Sequence, residues 1–286
     1  MRKSLFLALF LFAVASVLFS GCGSSGKKPS NEESKKTGFE LLDGKGTEMG
    51  KVFDKLGLEY GLVDGMLKPD KITELFLEEI EKGKLEGYTP VIVAPGSLGG
   101  SLLETMLEEY DPAELLKAEL PDGKEWIDSR LNEYQNTSDP SLDRFDFDKM
   151  RDDSAEGEEL THFTSLDIIS EGGDSDVFLV KVPTDKPWEA VLYIPFGGWN
   201  ACPEPLEMAA VCKYWYEKYG AQPAVIMGDQ MEFCLPSPVP ENEVREAALE
   251  HFAFCEDRVF QCTWTGTFSE LEDSIGKSAI WYFWWD

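Results

Sequence analysis

Residues 279–286 read AIWYFWWD and contain five consecutive aromatic side chains, the residue type that favours strands. Successive side chains of a strand point to opposite faces of its sheet. One face here carries Trp281, Phe283 and Trp285, and the other carries Tyr282 and Trp284. Because both faces are apolar, both need cover. We predict a central strand of a sheet with helices packed over it, since the run is too short to cross a bilayer.

The segments before this run alternate between helical and strand periodicity. The spacing of apolar residues predicts helices within 69–83, 97–110, 204–221, 240–259 and 267–276. Short apolar runs predict strands at 88–95, 176–183 and 189–196, and a hairpin at 223–236 that turns at Gly228 and Asp229. Together they predict an α/β to α+β fold, with a mixed β-sheet flanked by helices.

The charge of the chain limits its partners. It has 286 residues, with 54 Asp and Glu against 26 Lys and Arg, for a formal net charge of −28. Nucleic acids and anionic lipid headgroups would be repelled by such a surface. We therefore expect no nucleic-acid partner. The excess charge either keeps the protein in solution or receives a basic partner protein.

The first residues have the pattern of an export signal. Arg2 and Lys3 precede an apolar stretch, 5–19, that is shorter than a membrane span. The following "SGC" resembles the bacterial lipoprotein signal box, with Phe19 in place of the usual Leu. The resemblance implies cleavage before Cys22 and lipidation of its thiol, whereas ordinary secretion would leave that thiol free. A lipidated protein would be membrane-anchored and extracytoplasmic, facing outward or into the periplasm.

These patterns divide the chain into four segments. They are the signal peptide (1–21), the lipidated Cys with a flexible tether (22–38), an N-terminal α/β region with an acidic surface loop (39–165) and a C-terminal domain (166–286). The tether is assigned because 23–38 lacks large apolar side chains and cannot join a core.

The segments that could bind a cofactor or a metal lack the residue spacing that such sites require. The Gly-rich turn at 95–101 lacks the spacing of a phosphate-binding loop, and the aspartates of 143–153 lack that of a calcium loop. The five cysteines after Cys22 show no metal-site spacing, so we predict neither a metal nor a cofactor. His251 and Cys255 share one helix face, where they are either a Cys–His pair or packing residues.

The C-terminal motifs closely resemble the bacterial family known as domain of unknown function 4253. The resemblance covers roughly 176–286 and rests on Gly198-Trp199-Asn200, Cys202-Pro203, Trp215, Tyr219-Gly220-Ala221, Asp229, Glu232, Phe254-Cys255, Asp257 and Trp284-Trp285-Asp286. Two positions depart from the family, because Ala201 replaces an acidic residue and Glu256 replaces a proline. The resemblance implies that the aromatic run is a family feature, and it supplies candidate surface residues without an established reaction.

The residues that carry the resemblance also suggest a site. The candidate binding residues are Trp199, Asn200, Asp229, Glu232, Trp284 and Asp286. We expect their side chains to meet at one end of the sheet, where carboxylates beside tryptophans would bind a cation or a basic side chain. This favours a non-enzymatic interaction module, in the manner of an immunity protein. The alternative is an envelope hydrolase that uses Asp229 and Glu232 as an acid/base pair.

Overall fold

The computed structural model describes residues 40–94, 99–136, 145–152, 154–167 and 176–286, and six strands in this part of the chain form one mixed sheet. In chain order they are β1 (Glu59–Leu62), β2 (Thr89–Val93), β3 (Phe178–Val182), β4 (Gln222–Met227), β5 (Gln230–Cys234) and β6 (Ile280–Trp284). Their spatial order is β1-β3-β2-β4-β5-β6. The β2–β4 pair is parallel and the other neighbouring pairs are antiparallel.

Helices flank this sheet. In chain order they are α1 (Glu48–Leu56), α2 (Pro69–Glu86), α3 (Gly99–Glu109), α4 (Pro112–Leu115), α5 (Gly123–Asn136), α6 (Ala190–Tyr193), α7 (Pro205–Tyr219), α8 (Val244–Phe254), α9 (Asp257–Phe260) and α10 (Phe268–Lys277). Two 3₁₀ turns, Thr164–Leu166 and Pro187–Glu189, complete the regular structure of the described residues. The predicted fold class, a mixed sheet flanked by helices, is confirmed in its α+β form.

Local sequence signals explain several helix ends. Helix α2 begins with Pro69, whose fixed backbone angle suits a first helical position. The helix runs past the predicted end at Gly83 and stops at Gly87, which adopts the left-handed conformation (φ 83°). At the start of α7, the side chains of Glu204 and Glu207 form a reciprocal capping box.

The sheet separates two apolar cores. The larger core contains the inward side chains of β5 and β6, such as Phe233 and Phe283, packed under α7 and α8. The smaller core lies under α2 and contains Phe76, Phe163 and Ile92. Both faces of the central strands β2, β3 and β4 are therefore covered.

The predicted central position of the aromatic strand is wrong, because β6 is the last strand of the sheet. Its face with Trp281, Phe283 and Trp285 is buried in the larger core, as predicted. Its other face carries Tyr282 and Trp284, which are half-buried. An edge strand suffices because the larger core needs only one fully apolar face from β6, and α9 lies against the strand.

The strand predicted at 189–196 is also wrong. The chain forms the second 3₁₀ turn and then helix α6, which packs against α7. Val191, Leu192 and Ile194 are buried in the larger core. Tertiary packing thus overrides the strand preference of these β-branched and aromatic residues.

The strands of the two predicted regions, 39–165 and 166–286, alternate within the one sheet. Strand β3 of the later region lies between β1 and β2 of the earlier one, and β2 pairs with β4. No helix in the described part of the chain is long and apolar enough to span a bilayer.

The ring of Phe283 provides a test of the core. It is fully buried and stacks on Trp215 with 5.5 Å between ring centroids. We expect Phe283→Ala to lower the free energy of unfolding by about 3–5 kcal/mol, because it removes this contact and leaves a cavity. Urea unfolding measures the loss. Leu85→Ala, at a residue that is 88% exposed, should change stability by less than about 0.5 kcal/mol. Equal effects of the two changes would contradict the assigned packing.

Candidate functional site

The hairpin between β4 and β5 places Asp229 beside the end of β6. The Asp229 carboxylate accepts a 2.8 Å hydrogen bond from the indole nitrogen of Trp284. Its main-chain oxygen accepts a 3.1 Å bond from the nitrogen of Trp285. The turn at Gly228 has the predicted position, and the hairpin is confirmed. Asp229 therefore ties the hairpin to β6 and fixes the orientation of the Trp284 ring.

Glu232 lies in the middle of β5 and is fully buried. Its carboxylate accepts hydrogen bonds of 2.9–3.2 Å from both main-chain nitrogens and both hydroxyls of Thr164 and Ser165. Burial raises the pKa of this carboxyl to about 7, although the four donors favour the ionised form and act in the opposite direction. Glu232 thus holds the first 3₁₀ turn against the sheet and has no open path to a substrate.

The loop before α7 positions Trp199 and Asn200. Asn200 is the one non-glycine residue of the described chain with positive φ, at 49°. Its side-chain nitrogen donates to the main-chain oxygen of Asp286. The nitrogen of Asp286 donates to the Asp257 carboxylate at 3.1 Å. Asparagine tolerates the left-handed conformation better than most residues. In this conformation the Asn200 side chain joins the loop to the end of β6 through its hydrogen bond to Asp286.

The structure therefore divides the six candidate residues into two groups. Asp229, Glu232 and Trp284 lie at the half-buried face of β6, where Trp284 lines a cavity. The other group is Trp199, Asn200 and Asp286. Trp199 packs edge-on against Phe196 and lines a small apolar cavity of about 30 Å³. The two groups line different cavities, and the Asp229–Trp285 and Asn200–Asp286 hydrogen bonds join them at the end of β6. Cys22 lies outside the described residues.

Sequence reasoning named Asp286 but missed three further carboxylates around the second group. Tyr110 donates its hydroxyl to Glu204, and both contact the space above Gly198, next to Trp199. The hydrogen bond to Glu204 and burial are the main causes of a raised pKa of the Tyr110 phenol. The negative charge of Glu109 adds to this rise. We name Glu109, Glu204, Asp257 and Asp286 the acidic rim. The capping-box pattern at Glu204 was a sequence signal, but its proximity to Trp199 depends on folding.

The possible Cys–His pair has no catalytic geometry. His251 is fully buried among aromatic rings and neither ring nitrogen has a hydrogen-bond partner. Burial lowers the pKa of His251 well below its usual value. The Cys255 thiol donates to the main-chain oxygen of Trp284 at 3.0 Å, and burial raises its pKa. A neutral imidazole and a protonated thiol of this kind are packing residues. No group of residues able to hold a metal is found in the described chain.

The buried Glu232 makes stability depend on pH. Its folded pKa of about 7 is above the usual value of 4.5, so it favours the folded state below pH 4.5 and progressively less as pH rises through 7. From pH 5 to 8, we expect the wild type to lose on the order of 3 kcal/mol more unfolding free energy than Glu232→Gln, which cannot ionise. Urea unfolding of both proteins at both pH values measures this difference. The other titrating groups are the same in both proteins, so their contributions to the pH dependence cancel. Parallel pH profiles would contradict the raised pKa.

Comparisons with known proteins point to the C-terminal part of the chain. No curated protein and no solved structure matches this chain. All six candidate binding residues lie within the range of one family match, whereas Thr164 and Ser165, which hold Glu232, precede that range. The resemblance predicted from the motifs is confirmed there: residues 178–286 match the family model described as Domain of unknown function (DUF4253).

Proposed function

We propose that this protein is a membrane-anchored, non-enzymatic binding module that receives a basic partner protein on its acidic rim. The observation that carries the proposal is the set of four rim carboxylates, none of which forms an ion pair within the described residues. A half-buried tryptophan, Trp199, follows Gly198, which lies against the Glu204 carboxylate. Unpaired carboxylates next to an aromatic ring suit a lysine or arginine side chain.

Local ion pairs offset part of the negative charge elsewhere on the described surface. Many lysines are paired with a carboxylate three or four residues away in the same helix or turn. Examples are Lys71–Glu74, Lys84–Glu81, Lys117–Glu114, Lys124–Asp128 and Lys277–Asp273. Such local pairs partly neutralise the field of the surface around them. Exposed carboxylates elsewhere in the described chain, such as Glu78 and Glu86, also lack an ion pair. The rim is distinguished by its hydrogen-bonded carboxylates and by Trp199, which can add a cation–π contact.

The hydrolase alternative has less support from the geometry. It requires Asp229 and Glu232 to meet a substrate as an acid/base pair. Glu232 is fully buried and is held by four donors, and the Asp229 carboxylate is engaged by the indole of Trp284. Both carboxylates are better explained as ties between the hairpin, the first 3₁₀ turn and β6.

The membrane anchor in this proposal rests on the sequence around Cys22. The apolar stretch 5–19 followed by Ser20, Gly21 and Cys22 supports lipidation. The tether would then hold the binding module close to the outer face of the cytoplasmic membrane or within the periplasm.

Binding of a cationic peptide tests the rim. We expect a hexa-arginine peptide to bind the full chain, with an affinity that falls as salt is raised. The double variant Glu204→Gln/Asp286→Asn should weaken binding about tenfold, because it removes two exposed charges of the rim. Isothermal titration calorimetry at low and high salt measures both effects.

The matched control changes the same net charge at a distant site. Glu78→Gln/Glu86→Gln removes two exposed carboxylates of α2, which covers the opposite face of the sheet from α7. It should leave the affinity within about twofold of the wild type. If both double variants weaken binding equally, attraction is set by net charge alone and the rim is not the site.

Replacement of Cys22 tests the anchor separately. Expressed with its own N-terminus in a bacterium, the wild type should incorporate labelled palmitate and partition into the detergent phase of Triton X-114, because acyl chains bind detergent. Cys22→Ser should remain in the aqueous phase. Cys262→Ser, at a half-buried thiol of the described chain, should behave like the wild type. Partition of Cys22→Ser into detergent would contradict lipidation at this residue.

A further inference from the structure

A polar cavity of about 270 Å³ opens beside the half-buried face of β6. Its walls come from residues 157–164, α9, the following turn, α10 and β6, and they include two carboxylates, Glu158 and Glu270. The residues that matter for its chemistry are Arg258, Cys262, Trp264, Glu270, Tyr282 and Trp284. This cavity is separate from Trp199, which lines the small apolar cavity instead.

Arg258 is the unusual residue of this cavity. Its side chain is only 4% exposed, and its Nε has no hydrogen-bond partner. Arg258 also makes no ion pair with a carboxylate of the described residues, unlike Arg151 and Arg245, which pair with Glu272 and Asp148. A buried guanidinium without an anion costs several kcal/mol. The fold therefore retains a buried guanidinium with which no carboxylate of the described residues forms a direct ion pair.

The groups around Arg258 do not replace an anion. Glu270 lies close enough for Arg258 to contribute to the lowered pKa of its carboxyl. However, Glu270 already accepts hydrogen bonds of 2.6–2.8 Å from Trp264 and Thr265. The Cys262 thiol is protonated because burial raises its pKa, although Arg258 acts in the opposite direction. The ring of Phe283 lies 6.0 Å from the guanidinium carbon and offers only a weak cation–π contact.

Three aromatic side chains, those of Trp264, Tyr282 and Trp284, also line the cavity. The Tyr282 phenol can donate a hydrogen bond, and the Trp284 ring is held in place by the Asp229 carboxylate. Trp264 is 95% exposed at the cavity and so contributes little to the core. An exposed tryptophan on the wall of a polar cavity is a surface on which a flat ligand can stack.

We propose that this cavity binds a small organic acid, whose carboxylate pairs with Arg258 and whose planar part contacts Trp264 and Trp284. A carboxylate matches the two-pronged geometry of a guanidinium and adds one negative charge. A phosphate would bring up to two charges close to Glu270 in a protein whose formal net charge is −28. This inference is independent of the proposed basic partner, which uses the acidic rim.

Benzoate is the probe, with its uncharged analogue benzamide and inorganic phosphate as comparisons. The full chain is titrated with each compound, and binding is followed by calorimetry and by the fluorescence of the tryptophans. We expect benzoate to bind at least about tenfold more tightly than benzamide or phosphate, since only benzoate combines a single charge with a ring. Absence of benzoate binding, or equal binding of benzamide or phosphate, overturns the proposal.

Two variants and one control localise the binding. Arg258→Met should reduce benzoate affinity at least about tenfold, and should not lower the melting temperature, because it removes an unpaired buried charge. Trp264→Ala should weaken benzoate several-fold and should fold normally, because that side chain is exposed. The control Arg245→Met removes an exposed arginine at the start of α8 and should leave benzoate binding unchanged. Unchanged binding in Trp264→Ala and Arg258→Met would place benzoate elsewhere and refute the site.

Discussion

The stacking of Trp215 on Phe283 is the contact on which the C-terminal part of the structure depends. The two rings are nearly parallel, at 17°, and they join α7 to β6. Phe233 of β5 and Phe254 of α8 meet both rings edge-on, so two helices and two strands converge on one aromatic cluster. Aromatic pairs add specific geometry to the burial of apolar area. An edge strand can therefore be held firmly through one face.

Buried carboxylates connect elements around this cluster. Glu250 of α8 accepts hydrogen bonds from Trp215 and from Tyr214, Lys218 and Tyr219 of α7. Glu232 gathers four donors in the same way from the first 3₁₀ turn. A buried carboxylate left without donors would be strongly destabilising, so each one fixes the position of the segment that supplies its partners. The two clusters hold α7 against α8, and the 3₁₀ turn against the sheet.

Local patterns predicted α2, α3, α7, α8 and α10, most strands and the hairpin at Gly228, because apolar spacing and turn residues act over a few positions. They did not predict α1 or α5. The alternation of β6 correctly predicted which side chains enter the larger core. Its place at the sheet edge could not be predicted, because strand order depends on pairing between distant segments. The same limit applies to the site. Thr164 lies 68 residues from Glu232, and nothing in the sequence distinguishes Arg258, which the fold buries, from an ordinary surface charge.

Ion pairs stabilise parts of the scaffold, whereas the two candidate sites contain charges without an ion pair among the described residues. Lys82 and Lys186 meet carboxylates within one helical turn, and the buried Glu250 meets Lys218, so these charges are compensated inside the chain. Within the described residues, the four carboxylates of the acidic rim have no cation partner, and Arg258 in the cavity beside β6 makes no ion pair. Because an uncompensated charge weakens the folded state, especially when buried, both places favour a ligand of opposite charge. Each therefore specifies the sign of its own ligand, a cation at the rim and an anion in the cavity.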